Sequence, residues 1–411
     1  MKRYGLNKKI LILGAGFGGL QAARALAGRA SAMVIDRRSH FDFLANIHEL
    51  VSGSKTPEVL RLPNKEVIER WGHEFVLDEV EQIDGSNRRV HTKTGRVLDY
   101  DVLLLALGGE DASFGVPNVD RYAYAFKSVD DCHRIGLRLA ELSGADRPYH
   151  VVIVGGGLEG IESLGEIMRR YRGDPNLHVS LVEGNVQLLP VTSEVVDRRI
   201  RELTRDYAVE FFTGERVKKI RPKSVLLESG LVLKSDLTIW TGGLAPAGLL
   251  HRSGLTARPG AWMPADQTLQ NPDFPEIFIL GDIIDMEKPV EKQAYHAMDM
   301  GLLAAENVLR HLSGKSLKRF KPATKPMLVS FGDLTCFLIF GNTVIHGPSL
   351  NLLKEFIYHS VMAQYDLRPR PMPAYRMLQR IGSTFDEVVL PTVSSWERLK
   401  RMGRMGVLSW F

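Results

Sequence analysis

Cysteine is nearly absent: the 411 residues hold 2, Cys132 and Cys336, 204 positions apart. That excludes a disulfide framework and a four-thiolate zinc site, and it suits a reducing, cytosolic chain. Redox chemistry must then rest on a bound cofactor. Long apolar runs are missing too. The longest charge-free stretch of the last quarter, Leu334 to Leu353, contains Gly341, Asn342, His346 and Pro348 and is expected to form two strands and a turn, not a membrane span. Lys2, Arg3, Lys8 and Lys9 ahead of an apolar run imitate a signal peptide, but a glycine pattern interrupts the run at once. No residues at metal-ligand spacing, no Ser-His-Asp arrangement and no phosphate-transfer loop stand out, so no metal is expected.

What is present suits two or three folded units with ample core: 44% of residues are hydrophobic and 25% charged. The net charge of +5 is unevenly placed, because residues 311 to 411 carry 14 Lys/Arg against 6 Asp/Glu while the remainder is slightly acidic. A basic tail points to nucleic acid or to an anionic membrane surface.

A repeat organises the chain. Ile10 to Leu13 is an apolar run followed by Gly14-Ala15-Gly16-Phe17-Gly18-Gly19, a helix-like stretch, and a second apolar run ending at Asp36. This is the dinucleotide fingerprint in its required context: Gly14 allows the tight turn, Gly16 the approach of a pyrophosphate and Gly19 close helix packing, while Asp36 accepts from a ribose hydroxyl. The pattern returns with Gly155, Gly157, Gly160 and Glu183. Downstream, a shift of 135 positions carries Val90, Gly95, Val97, Leu98, Asp101 and Gly108 onto Val225, Gly230, Val232, Leu233, Asp236 and Gly243, which predicts two small antiparallel meanders turning at Gly95 and Gly230. Then Phe274 to Asp282 reads as a strand delivering Gly281 and Asp282 at its carboxyl end, where α/β proteins bind ligands.

In this order of motifs the chain resembles the two-dinucleotide-binding-domain flavoproteins over about residues 8 to 310. The resemblance implies an α/β protein with two Rossmann-like domains, a discontinuous FAD domain and an inserted NAD domain, plus a C-terminal α+β region. The expected boundaries are 1–112 and 237–320 for the FAD domain, 113–236 for the NAD(H) domain, and 321–411 for a C-terminal domain with amphipathic helices. It implies that Gly14, Gly16, Gly19, Asp36, Gly108, Gly281 and Asp282 serve FAD, and that Gly155, Gly157, Gly160 and Glu183 serve the nicotinamide dinucleotide. A carboxylate at Glu183 pairs with ribose hydroxyls and repels an added phosphate, so NADH is preferred over NADPH.

Relatives differ in what accepts the electrons. Disulfide reductases need a CxxC or CxxxxC, and neither occurs. Sulfide:quinone reductases use a cysteine pair at positions that fall on Leu158 and near Met327 here. The chain is most similar to type II NADH:quinone oxidoreductases, through Asp36-Arg37-Arg38-Ser39-His40-Phe41, Phe331-Gly-Asp and the helix from Leu352. That family carries two glutamines four residues apart in its quinone helix, and this chain has Gln293 and then Ala297. The resemblance implies that Glu162 orients the nicotinamide side and that Gln293, one turn into a helix from Pro289, faces the flavin edge or a quinone. Lys292, Tyr295 and His296 are the candidate proton donors.

Ser394 and Glu397 form a capping-box spacing. In the segment they open, Trp396, Leu399, Met402, Val407 and Trp410 gather opposite Lys400, Arg401 and Arg404, the composition of an interfacial helix on anionic lipid. Leu353, Phe356, Ile357, Val361 and Tyr365 form a second apolar stripe, which suits a quinone entrance, while core or homodimer packing would give the same pattern. Nucleic acid is disfavoured, since no recognition fold accompanies the charges. The expectation is thus an FAD-dependent NADH dehydrogenase (quinone), peripheral on the inner face of the cell membrane. A soluble NADH:acceptor reductase for an electron-transfer protein, a divergent sulfide:quinone reductase and a flavin-binding redox sensor would share the same core.

Overall fold

The computed structural model describes residues 8–366 except 191 and 193; the expected interfacial helix of residues 394–411 lies outside them. The chain divides into two compact units. One comprises the described parts of Met1–Asp42, Arg61–Asp111 and Leu244–Ala323, the other those of Phe43–Leu60, Ala112–Gly243 and Thr324–Phe411.

The first unit is built on five parallel strands in the spatial order Glu74–Leu77, Ala32–Asp36, Ile10–Leu13, Val102–Leu105, Ile277–Ile279. Every residue of the last three is buried, as a parallel sheet covered on both faces requires. The second unit repeats the plan with Val209–Thr213, Leu177–Glu183, Tyr149–Val154, Leu237–Trp240 and Tyr124–Ala125. In both, the fingerprint strand is central, where the strand order reverses and a crevice opens at the carboxyl ends. The α/β fold with two Rossmann-like units is therefore present.

The repeat extends to the meanders. Arg89–Thr92 and Val97–Asp99 lie exactly 135 positions before Ser224–Leu227 and Val232–Lys234, and each pair is antiparallel. Their turns use Gly95 at φ +83° and Gly230 at φ +92°, a left-handed conformation that glycine adopts without strain.

The helix expected from Pro289 begins only at Ala294 and runs to Leu312, with Gln293 as an extended N-cap at φ −136°, ψ 147°. Its buried stripe of His296, Ala297, Met300, Gly301, Ala304 and Ala305 starts two residues inside. Glu287, Lys288, Pro289, Glu291 and Lys292 are exposed. With no face to bury, they have nothing to offset the cost of an extra helical turn. A Cβ at Gly301 would lie 2.4 Å from the Gly18 carbonyl oxygen, so this helix rests directly on the first fingerprint helix, Phe17–Leu26.

After residue 323, Met327–Phe331, Thr335–Phe340 and Thr343–Gly347 form an antiparallel sheet that includes the expected pair of strands, followed by the helix Leu350–Tyr365. Of the expected stripe on that helix, Val361 and Tyr365 are buried and Ile357 is 39% exposed. Within the second unit this sheet abuts the fingerprint helix Leu158–Tyr171 at two glycines: a Cβ on Gly165 would meet the Gly332 nitrogen at 2.5 Å and the Phe331 carbonyl carbon at 2.6 Å. Backbone atoms cannot swing aside as a side chain can. Gly165→Ala should therefore lower stability by about 1–3 kcal/mol in chemical denaturation, and an unchanged midpoint would refute this packing.

Candidate active site

The two fingerprint turns are geometric copies. Gly14 has φ +101°, and a Cβ there would fall 2.3 Å from the Ala106 oxygen; Gly155 has φ +108°, and its Cβ would fall 2.5 Å from Thr241 Oγ1. At Gly19 and Gly160 a Cβ would fall 1.8 Å from the oxygens of Gly14 and Gly155 respectively. Gly16 and Gly157 instead face open space, which leaves the backbone accessible to a phosphate at the helix N-terminus.

The acids repeat as well. Asp36 Oδ2 accepts from the Ala15 amide at 2.6 Å and Oδ1 from the Arg38 amide at 2.7 Å. Glu183 Oε2 accepts from the Gly156 amide at 2.6 Å, and Oε1 from the Asn185 amide at 2.7 Å and the Asn185 side chain at 2.6 Å. Each carboxylate is thereby clamped to its own glycine turn. Burial raises the Asp36 carboxyl, opposed by those amides and by Arg38 and Arg37. Each crevice, open at one glycine and closed at the others, fits a dinucleotide. Gly108 adds a left-handed turn at φ +67° facing open space after Val102–Leu105.

Gly281 takes φ +78° at the end of Ile277–Ile279, and its amide lies 3.3 Å from Met300 Sδ. Asp282 follows, partly exposed. Gln293 donates to Glu291 Oε2 at 2.6 Å. His296 is 5% exposed and its ring meets Tyr295 edge-on at 4.6 Å, so it is packed into the buried helix face. Lys292 lies exposed over the Trp262 ring, and partial loss of hydration there lowers its ammonium to about 8 against the pull of Asp282 and Asp285.

Glu162 is neither solvated nor a first-turn acid; Glu159 holds the first-turn position. Glu162 is 5% exposed. Its Oε1 receives a short hydrogen bond from Lys354 and another from the Ser330 amide at 3.1 Å, and its Oε2 lies 3.3 Å from His48 Nδ1. Lys354 Nζ also lies 3.4 Å from His48 Nε2. Burial, then the charges of Lys354, Arg169 and Lys55, hold the His48 imidazole well below its usual range and hence neutral. The consistent tautomer has Nδ1–H facing Glu162 and Nε2 accepting from Lys354. One turn along, fully buried Glu166 accepts from Ser52 and pairs with Arg169 at 3.3 Å. Lys55 bridges Glu49 at 3.4 Å and Glu355 at 2.5 Å.

Sequence reasoning found Glu162 and missed Lys354, His48, Ser52 and Glu166. One signal was available: acids at positions 162 and 166 share one face of an amphipathic helix whose neighbours Ile161, Leu164 and Ile167 are core. The partners arrive from residues 48–55 and 330–355, far away in sequence. Neither cysteine is in a disulfide and both are buried, and burial pushes the Cys336 thiol up to about 12, as suits small core residues and not a redox pair.

A family model described as pyridine nucleotide-disulphide oxidoreductase matches residues 8–301. A type II NADH:quinone oxidoreductase of Staphylococcus haemolyticus (strain JCSC1435) is 26% identical over 356 residues, covering 79% of this chain and 88% of the relative. One from Staphylococcus epidermidis (strain ATCC 12228 / FDA PCI 1200) is 26% identical over 381 residues, 85% of this chain and 94% of its own. The structure of NDH2 from Plasmodium falciparum in complex with NADH shares the fold at TM-score 0.78 and 16% identity, covering 92% of this chain and 98% of that one. The sulfide:quinone oxidoreductase of Aquifex aeolicus shares it at TM-score 0.77 and 17% identity, covering 87% and 91%.

Burial raises the Glu166 carboxyl from 4.5 to about 7 despite Arg169 and Ser52. The folded chain thus keeps a proton that the unfolded chain releases, and this contribution is full below pH 4.5 and lost as pH rises through about 7. Glu166→Gln should flatten the fall in stability between about pH 5 and pH 8, by up to about 3 kcal/mol. A variant melting with the unaltered pH profile would remove Glu166 as the titrating group.

Proposed function

The chain belongs to the pyridine nucleotide-disulphide oxidoreductase family, and on that footing we propose that it is a flavoprotein NADH dehydrogenase reducing a quinone. The observation that carries this reading is the pair of matching dinucleotide crevices, each closed by its own clamped acid, in a chain whose two cysteines are buried. The first crevice, with Gly14, Gly16, Gly19, Asp36, Gly108, Gly281 and Asp282, would hold FAD. The second, with Gly155, Gly157, Gly160 and Glu183, would hold NADH. FAD held there would supply the chemistry of accepting a hydride from NADH and delivering two electrons to an acceptor. The relatives named type II NADH:quinone oxidoreductase support a quinone as that acceptor.

The protein's own contribution is orientation, exclusion of water and proton handling. Quinone reduction by NADH consumes one proton beyond the hydride. Glu162, with Lys354 donating to it and neutral His48 beside it, shares one proton with Lys354 in the second unit, carboxylate and ammonium compensating each other. Gln293, Glu162 and His296 remain the proposed catalytic residues, with Glu162 the best supported because its carboxylate is buried and built into a network. Ala297 stands where that family's quinone helix carries a second glutamine, so it bears on which quinone is accepted.

Among the described residues no helix is long and apolar enough to cross a membrane. Peripheral attachment to the inner face of the cell membrane rests on the basic, Trp-containing segment 394–411. Membrane retention should survive high salt and be lost on deleting 394–411; retention without that segment would refute the attachment.

Anaerobic NADH should bleach the bound flavin at least tenfold faster than NADPH, because Glu183 faces an added phosphate with like charge. Equal rates would sink the Glu183 assignment. Reoxidation by a quinone, and not by sulfide-linked or protein acceptors, should follow. Cys132→Ala with Cys336→Ala should leave turnover intact, whereas lost turnover in a folded variant would revive a thiol-dependent reaction.

A further inference from the structure

The registers of the two sheets can be equated residue by residue. Leu13 pairs with Leu105 and Leu105 with Ile279; Val154 pairs with Trp240 and Trp240 with Ala125. Gly14 and Gly155 follow Leu13 and Val154, so Ile279 and Ala125 occupy the same place in the two units. Counting on, Gly281-Asp282 of the first unit corresponds to Lys127-Ser128 of the second. Both dipeptides leave the carboxyl end of the outer strand and precede a helix, Ala294–Leu312 in one case and Val129–Ser143 in the other. By the same count Gly18 corresponds to Glu159. Gly18 faces the outer-strand segment through Leu280, 3.0 Å from where its Cβ would be. Glu159 faces the equivalent segment through a short ion pair with Lys127.

The two dipeptides differ in chemistry. Ser128 is committed to capping its own helix, accepting from the Asp131 amide at 3.1 Å. Lys127 is not, and its side chain remains 17% exposed against Glu159 at 33%. Glu159 also sits in the first turn of the fingerprint helix, a place that attracts negative charge, whereas the first fingerprint helix has no acid there. A carboxylate there opposes a bound phosphate, and an adjacent lysine cancels it.

We propose that Lys127 is a binding residue for the nicotinamide-side phosphate of the dinucleotide, and that Glu159 holds it in reserve. On binding, the Lys127 ammonium exchanges the Glu159 carboxylate for the pyrophosphate, and Glu159 turns to solvent. The pair thus sets the affinity for NADH. This rests on the second crevice being the NADH site.

The test uses the flavin-loaded full chain and measures dissociation constants for NADH, ADP-ribose and AMP, with thermal melting as the control for folding. ADP-ribose has the pyrophosphate without the nicotinamide, and AMP lacks the second phosphate. Lys127→Met should weaken NADH and ADP-ribose alike, by about tenfold, the scale of a lost charged hydrogen bond, and leave AMP unchanged. Lys127→Arg should restore most of the loss. Glu159→Gln should tighten NADH and ADP-ribose severalfold. The proposal is overturned if Lys127→Met melts lower with all three affinities intact, or if Glu159→Gln weakens NADH as much as Lys127→Met does. A wild-type chain that binds AMP and ADP-ribose but is not reduced by NADH would defeat the dehydrogenase reading and leave the Lys127 assignment standing.

Discussion

The contact on which the rest depends is that between a helix and the turn feeding it, repeated twice. At Gly19 and Gly160 the helix backbone comes so near the preceding glycine carbonyl that a Cβ would sit 1.8 Å away. Only that approach lets the helix N-terminus stand over the carboxyl end of the central strand with its amides free. It also places Ala15 and Gly156 within reach of Asp36 and Glu183, whose carboxylates lock the second strand of each sheet to the first turn. Dinucleotide affinity, acid placement and sheet order therefore share one steric cause.

The second unit adds a costlier device. Glu162 and Glu166 are buried acids held by polar partners: Lys354 from the last described helix and His48 at Glu162, and Ser52 with Arg169 of the same helix at Glu166. Such a cluster is weak evidence of stabilisation, since desolvation offsets most of the attraction. Within it Glu166 is the group that burial brings to about 7, so it changes protonation near neutral pH.

Much of this was legible before any coordinates. The glycine spacing, the acids after the second strands and the 135-residue shift predicted both units and both meanders, because each rests on local backbone constraints that only particular residues satisfy. The start of the helix at Ala294 was not legible. Pro289 is a good first-turn residue, but whether a turn forms there depends on having something to pack against. The environment of Glu162 was equally hidden, since its partners are separated from it by up to 192 positions.

The sequence alone determined where the two glycine turns form, because glycine is the one residue without a Cβ and its spacing marks the close backbone approaches at Gly14, Gly19, Gly155 and Gly160. It also shows that Cys132 and Cys336 form no CxxC or CxxxxC pair. Tertiary structure decided which charges are buried together and which pair across the crevice. Side chains as far apart as His48, Glu162 and Lys354, or Lys127 and Glu159, meet only once strands are ordered into a sheet, and charge coupling depends on distance in space and on exclusion of water, neither of which is written locally in a chain.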